Sequence, residues 1–264
     1  MSFLTPEIRS SAVARINPVA KLIAALLLSI ALLLSIDAVS AGVALGLEAL
    51  LLPWAGLGAR QFWLRTAPLW IAAPLAAVTT ILYGNDSGNT LWAWGFVTIT
   101  EGSLALGLAI ALRVLAIGIP GIVLFATTDP TDLADGLAQV LRLPSRFVLG
   151  GLAGLRLVGL FIDDWRALGM ARRARGVGDG GGPLAALRRL VSQAFALLVL
   201  SVRRGSKLAT AMEARGFGSD APRSWARPSR FTGREAVLIV IGALVAGVAV
   251  AVAVATGSWH FVLS

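Results

Sequence analysis

Five apolar stretches govern what this chain can become. Residues 18–36, 39–57, 67–83, 103–125 and 236–256 each approach the roughly 20 residues that carry a helix across the hydrocarbon core of a bilayer. Lipid offers backbone N–H and C=O groups no partner, so stretches of this kind satisfy themselves as helices. Composition agrees: 57% of the 264 residues are hydrophobic and 14% charged, whereas soluble domains average about 45–50% and about 25%. The prediction is an all-α, polytopic membrane protein with about five transmembrane helices. Asp37 parts the first two stretches into a tight helical hairpin, and Arg113 puts one charge inside the fourth. Pro68 and Pro74 are expected to break the third. Val39-Ser40-Ala41 has the small residues of a signal-peptide cleavage site, but the run before Asp37 is longer than a usual h-region and further spans follow. A retained first span is therefore expected.

So oily a chain nonetheless carries 23 Lys and Arg against 14 Asp and Glu, a net charge of +9. The cations are segregated. Arg9, Arg15 and Lys21 precede the first stretch, Arg60 and Arg65 lie between the second and third, and 17 more fall in residues 126–235, leaving only Arg113. Residues 84–102 contain no Lys or Arg. Because cations near span ends are retained on the cytoplasmic face, the N-terminus is predicted inside and the C-terminus outside. The chain has no cysteine, and His260 is its single histidine, so thiolate chemistry, disulfides and a metal site are not expected. Neither Lys21 nor Lys207 sits in a GxxxxGK[ST] loop. No cofactor is expected in this chain, and ATP, if used, is bound by another.

Residues 126–235 carry the specific signals. Thr127-Thr128-Asp129-Pro130-Thr131-Asp132 reads as a helix start: Asp129 caps, Pro130 suits the first helical position, and Asp132 and Asp135 sit in the positive first turn. Leu133, Leu137, Val140 and Leu141 then recur at helical spacing as far as Arg142-Leu143-Pro144, giving a short amphipathic helix along the membrane surface. Two long helices follow, residues 144–175 and 183–215, flanking a joint of seven residues, five of them glycine, from Gly176 to Gly182. Residues 147–162 and 194–202 are apolar, but Arg156 interrupts the first and the second is short. Crossing there would also carry Arg166, Arg172, Arg173, Arg175, Arg188 and Arg189 outside. Both helices are expected at the membrane interface, with Gly150, Gly151, Ala153, Gly154 and Gly159 allowing close helix packing.

The two long helices end alike. Ala174-Arg175-Gly176-Val177-Gly178 and Ala214-Arg215-Gly216-Phe217-Gly218 stand 40 residues apart. Glycine just beyond a helix takes the left-handed conformation that ends it, and arginine in the last turn complements the dipole. The doubled pentad also suggests two positioned guanidinium groups, able to make forked hydrogen bonds with carboxylates or carbonyls of a two-fold partner.

With these motifs the chain resembles the transmembrane T component of energy-coupling factor transporters, vitamin and metal-ion importers related to ABC systems. The likeness rests on the paired Ala-Arg-Gly motifs, on Asp129-Pro130 and the closing Leu143-Pro144, on Asn17-Pro18-Val19-Ala20-Lys21-Leu22 before the first span, and on Arg113. It implies a noncatalytic subunit in the cytoplasmic (inner) membrane of a prokaryote. Two ABC-type ATPase subunits, holding ATP and Mg, would receive Arg175 and Arg215 in their grooves, and a substrate-binding S component would ride on the coupling helices. The implied layout is a membrane domain of four spans (1–125), a cytoplasmic coupling domain of long amphipathic helices (126–235) and a last transmembrane helix (236–264). Ala174, Arg175, Gly176, Ala214, Arg215 and Gly216 are then the docking residues.

Arg113, as an intramembrane cation, is either a functional charge or one paired within the bundle. Asp163 and Asp164 point in different directions on a helix, and pairing with Arg166 or solvent exposure is favoured over paired-carboxylate chemistry. Trp54, Phe62, Trp63, Trp70, Trp92 and Trp94 fit interfacial belts, and residues 219–234 read as a basic connector facing anionic lipid. Two other functions compete: a membrane-anchored basic scaffold for anionic lipid or nucleic acid, and an autonomous secondary transporter using Arg113. The second would call for repeated spans, which the sequence lacks.

Overall fold

The computed structural model describes residues 13, 15–84, 88–94, 97–176, 182–219 and 224–259. His260, Arg9 and Val177-Gly178 of the first pentad lie outside the described residues. The chain divides into two compact units, one of Met1–Gly136 with Ser229–Ser264, the other of Leu137–Pro228.

In the first unit α1 (Pro18–Leu33) begins at Asn17, whose side chain accepts the Val19 N–H. α2 (Ala38–Leu51) begins at Asp37, which accepts the Ser40 N–H, and runs into a 3-10 turn, Leu52–Ala55. α3 is Ala59–Tyr83 and α4 is Glu101–Ala126, the latter opened by a reciprocal box between Thr100 and Ser103. α5 (Pro130–Gln139) starts as expected, with Asp129 Oδ1 accepting the Thr131 N–H at 2.7 Å. It ends three residues before Arg142, whose φ of 53° already turns the chain out of helix. α8 (Gly233–Ala255) closes the unit and opens with a second such box, between Thr232 and Glu235.

α3 lies on α4, α1 on α8, and α2 on both α4 and α8. The interior is built from Leu28, Leu32, Ala44, Ala116, Val245, Ala246 and Ala249, with a second cluster of Ala73, Leu115, Ile119 and Val123. Small residues dominate because lipid supplies no hydrophobic drive between helices, and close backbone approach is what holds them. Gly242 shows this most sharply: a Cβ built on it would stand 2.9 Å from Ala24 Cβ and 3.1 Å from Ala24 Cα. Gly242→Val is expected to push α1 from α8 and cost about 1–3 kcal/mol, as overpacking does, read as a lowered unfolding midpoint in detergent.

Three expectations need correcting. Pro68 and Pro74 do not break the third span, because α3 is continuous and starts eight residues before the expected run at Ala67. Membrane helices tolerate proline where hydroxyls and neighbouring helices take up the freed groups, and α3 packs along α4. The connection after α3 holds an antiparallel hairpin, β1 (Thr90–Trp94) with β2 (Val97–Thr100), Trp92 standing opposite Ile99. Among the described residues the helices long and apolar enough to cross a membrane are five, but not the five expected: α3, α4 and α8 are joined by two helices of the second unit, while α1 and α2 are apolar but shorter.

The second unit consists mainly of those two helices, α6 (Ser145–Ala174) and α7 (Pro183–Ala214), 30 and 32 residues long. Neither contains a buried residue. Large apolar side chains such as Phe147, Leu184, Phe195 and Val202 stand exposed on them.

Candidate functional site

The Ala-Arg-Gly repeats fold identically. Arg175 has φ −88° and ψ 11°, Arg215 φ −89° and ψ 9°. The glycine after each is left-handed, φ 77° at Gly176 and 75° at Gly216, a conformation a side chain would strain. The Gly176 N–H donates to the Arg173 carbonyl at 3.0 Å and the Gly216 N–H to the Glu213 carbonyl at 2.9 Å, so each glycine closes the last turn. Ala174, Arg175 and Gly176 are exposed, as are Ala214, Arg215 and Gly216. Among the described residues neither the Arg175 nor the Arg215 side chain makes a hydrogen bond or ion pair, and both are exposed at the helix caps.

Polar contacts brace α6 against α7 between these ends. Arg204 forks onto Asp164, Nη1 to Oδ2 at 2.5 Å and Nη2 to Oδ1 at 3.3 Å. Gln193 Nε2 donates to the Trp165 carbonyl at 2.7 Å, and Arg172 Nη2 to Ser192 Oγ at 2.9 Å. The pairing runs antiparallel, so the two helix C-termini fall at opposite ends of the pair. Arg172 also donates to the Arg189 carbonyl, and Arg215 lies 26 residues beyond Arg189. At 1.5 Å per residue Arg175 and Arg215 are therefore on the order of 40 Å apart. Asp163 pairs with Arg166 on the surface at 3.6 Å, as expected. The role of Asp164 as a strut between helices was not foreseen, because its partner is 40 residues away.

The Asn17-Pro18-Val19-Ala20-Lys21 motif proves to be a polar knot in the first unit. Lys21 is 1% exposed, and its Nζ donates to the Thr127 carbonyl at 2.9 Å and to Thr127 Oγ1 at 3.3 Å. Asp132 adds an attractive charge. Arg65 Nη1 reaches the Ala126 carbonyl at 3.1 Å, so two cations satisfy the open carbonyls at the negative end of α4. The Asn17 N–H donates to Glu235 Oε1 at 3.2 Å, and Asn17 Nδ2 donates to Ser229 Oγ at 2.8 Å and to the Arg230 carbonyl at 3.0 Å. One short motif thus ties the start of α1 to the end of α4 and the start of α8. Sequence reading took Lys21 as a flanking cation and as part of the family motif, without its burial or its tie to Thr127.

Arg113 sits midway along α4, with Nε and Nη2 buried and no hydrogen-bond partner for either among the described residues. Its countercharge is Asp37, the cap of α2. Burial alone would raise the Asp37 carboxyl, but hydrogen bonds from Ser35 Oγ, the Ser40 N–H and Ser40 Oγ, with the Arg113 charge, hold it below the ordinary carboxylate range. A carboxyl whose folded value lies below its unfolded one stabilises fully above the unfolded value, near 3.9, and loses that contribution as pH falls through the folded value. Thermal unfolding in detergent is thus expected to show wild type losing stability below about pH 4. Asp37→Asn, less stable at neutral pH, should show a shallower acid limb, the remainder belonging to carboxyls such as Glu235 that are also held low.

A mainly helical multi-pass membrane unit is thus joined in one chain to a pair of long helices with matching caps. The family model described as cobalt transport protein, CbiQ, matches residues 9–224. The chain is 29% identical over 199 residues to the energy-coupling factor transporter transmembrane protein EcfT of Limosilactobacillus fermentum, covering 70% of this chain and 73% of that one. It is 28% identical over 214 residues to the protein of the same name from Acidaminococcus fermentans, covering 78% and 79%. The chain belongs to the CbiQ family and is an energy-coupling transmembrane component of that transporter class.

Proposed function

We propose that this subunit couples a pair of ABC-type ATPases to a substrate-binding S component in the uptake of a vitamin or metal ion. Arg175 and Arg215 are the docking groups, each entering a groove of one ATPase. ATP and Mg are bound and used there, not on this chain. The S component packs on the apolar, small-residue faces of α6 and α7, which lie at the cytoplasmic interface. The N-terminus is inside and the C-terminus outside, and Arg113 with Asp37 serves as an internal pair of the membrane domain. The observation that carries this reading is the duplication of one cap geometry, with an exposed, unengaged arginine, at both far ends of a braced helix pair. A solvated basic surface does not call for equal backbone geometry at two positions, whereas two equivalent sockets do.

The test is affinity purification of the tagged wild-type chain from native membranes, with partners identified by mass spectrometry. Recovery of ATP-binding subunits and of a small membrane protein in fixed proportion is expected. If neither accompanies a well-expressed chain and bound material is instead eluted by moderate salt, the basic scaffold is the better account.

A further inference from the structure

A cavity of about 160 Å³ opens in the first unit between α1, α2, α4 and α8. Its wall includes Ala24, Leu28, Leu51, Ile119, Val123 and Ile241, and among the described residues Glu48 is the only polar side chain in that wall. Glu48 is 8% exposed, and both carboxyl oxygens lack a hydrogen-bond partner among the described residues. Among the described residues no lysine, arginine or histidine lines the cavity to balance a negative charge. An unpaired carboxylate in such surroundings is prohibitively costly, so the form that fits this wall is the neutral acid, which is one donor and one acceptor. A buried group of this kind left idle would be a defect in the fold.

Water is a poor occupant, because an ordered water needs two to four polar partners and this wall supplies one group. A helix of another subunit, at least about 10 Å across, does not fit a space close to the roughly 150 Å³ that holds a benzene ring. The walls belong to apolar helices of a membrane protein, two of them, α4 and α8, long enough to span, and lipid is the medium such helices meet. We propose that this cavity binds a membrane glycerolipid, an acyl segment filling the apolar part while the Glu48 carboxyl turns about its side-chain torsions to donate a hydrogen bond to an ester carbonyl.

The proposal is independent of the coupling role, and its test uses the purified full-length chain alone. Palmitoyl-oleoyl phosphatidylethanolamine and its diether analogue, which lacks the ester carbonyls, are titrated in mixed micelles, and bound lipid is counted by native mass spectrometry. Wild type is expected to hold one ester lipid about tenfold more tightly than the diether, the worth of one hydrogen bond in an apolar site. Glu48→Gln, which keeps a donor and an acceptor, should preserve the preference. Glu48→Leu should abolish it, binding both lipids equally, and Leu51→Trp, which fills the mouth from an exposed position, should lower binding of both. Unfolding midpoints verify that each variant is folded, with Glu48→Met replacing a leucine variant that is not. Equal binding of ester and diether to wild type, or no retained lipid, overturns the proposal.

Discussion

Replacing Arg175 and Arg215 together by alanine is expected to leave the chain in the membrane at wild-type level while removing the ATPases from its purified complex. Truncating one partner of a buried, hydrogen-bonded charge pair at an interface costs about 2–5 kcal/mol. Two such losses, about 40 Å apart and so independent, sum to at least about 4 kcal/mol, near a thousandfold in affinity. Because both side chains are exposed and make no hydrogen bond or ion pair among the described residues, the chain itself is expected to lose little on their removal. Each single variant should keep one attachment and show an intermediate yield. Lysine at both positions keeps the charge but not the planar fork, and should rescue only weakly. A uniform basic surface would give the opposite result, with lysine equivalent to arginine and binding falling steeply with salt.

Lys21→Ala should be the most damaging single substitution in the membrane unit. Losing a charged hydrogen bond costs about 1.5–3 kcal/mol, and the void left by a fully buried side chain adds about 2 kcal/mol or more. The Thr127 carbonyl and the end of α4 would lose their cation, and α1 its tie to α4. The unfolding midpoint in detergent and the amount of protein accumulated in the membrane should both fall sharply. Lys21→Met, which fills the space without the charge, should recover part of the loss. Equal stability of all three proteins would mean that the knot around Asn17 and Lys21 holds nothing.

What was readable in the residues was whatever lay within one turn or one span. Asp129-Pro130 announced α5, the glycines announced the ends of α6 and α7, and the bounds of those long helices agree to within a residue. The hairpin was missed although Val97-Thr98-Ile99-Thr100 alternates with period two, because tryptophans between apolar spans were read as interfacial anchors. The prolines of α3 misled because their cost depends on which neighbours receive the freed groups. The bracing of Asp164 by Arg204, the ties of Asn17 to residues beyond 228 and the isolation of Glu48 are all long-range juxtapositions. Nothing local encodes them. The paired arginines were legible for the reverse reason: duplication leaves a mark along the chain itself.

Two helices of 30 and 32 residues without one buried side chain have no interior from which to draw stability. What covers their apolar faces sets their free energy by mass action, so the folded population tracks the supply of whatever binds there. A cell making this chain in excess would hold unassembled copies open to proteolysis, and small shifts in stability become several-fold shifts in abundance. The subunit's steady-state level is then an output of assembly, and transporter stoichiometry is policed by degradation of the orphan rather than by matched synthesis.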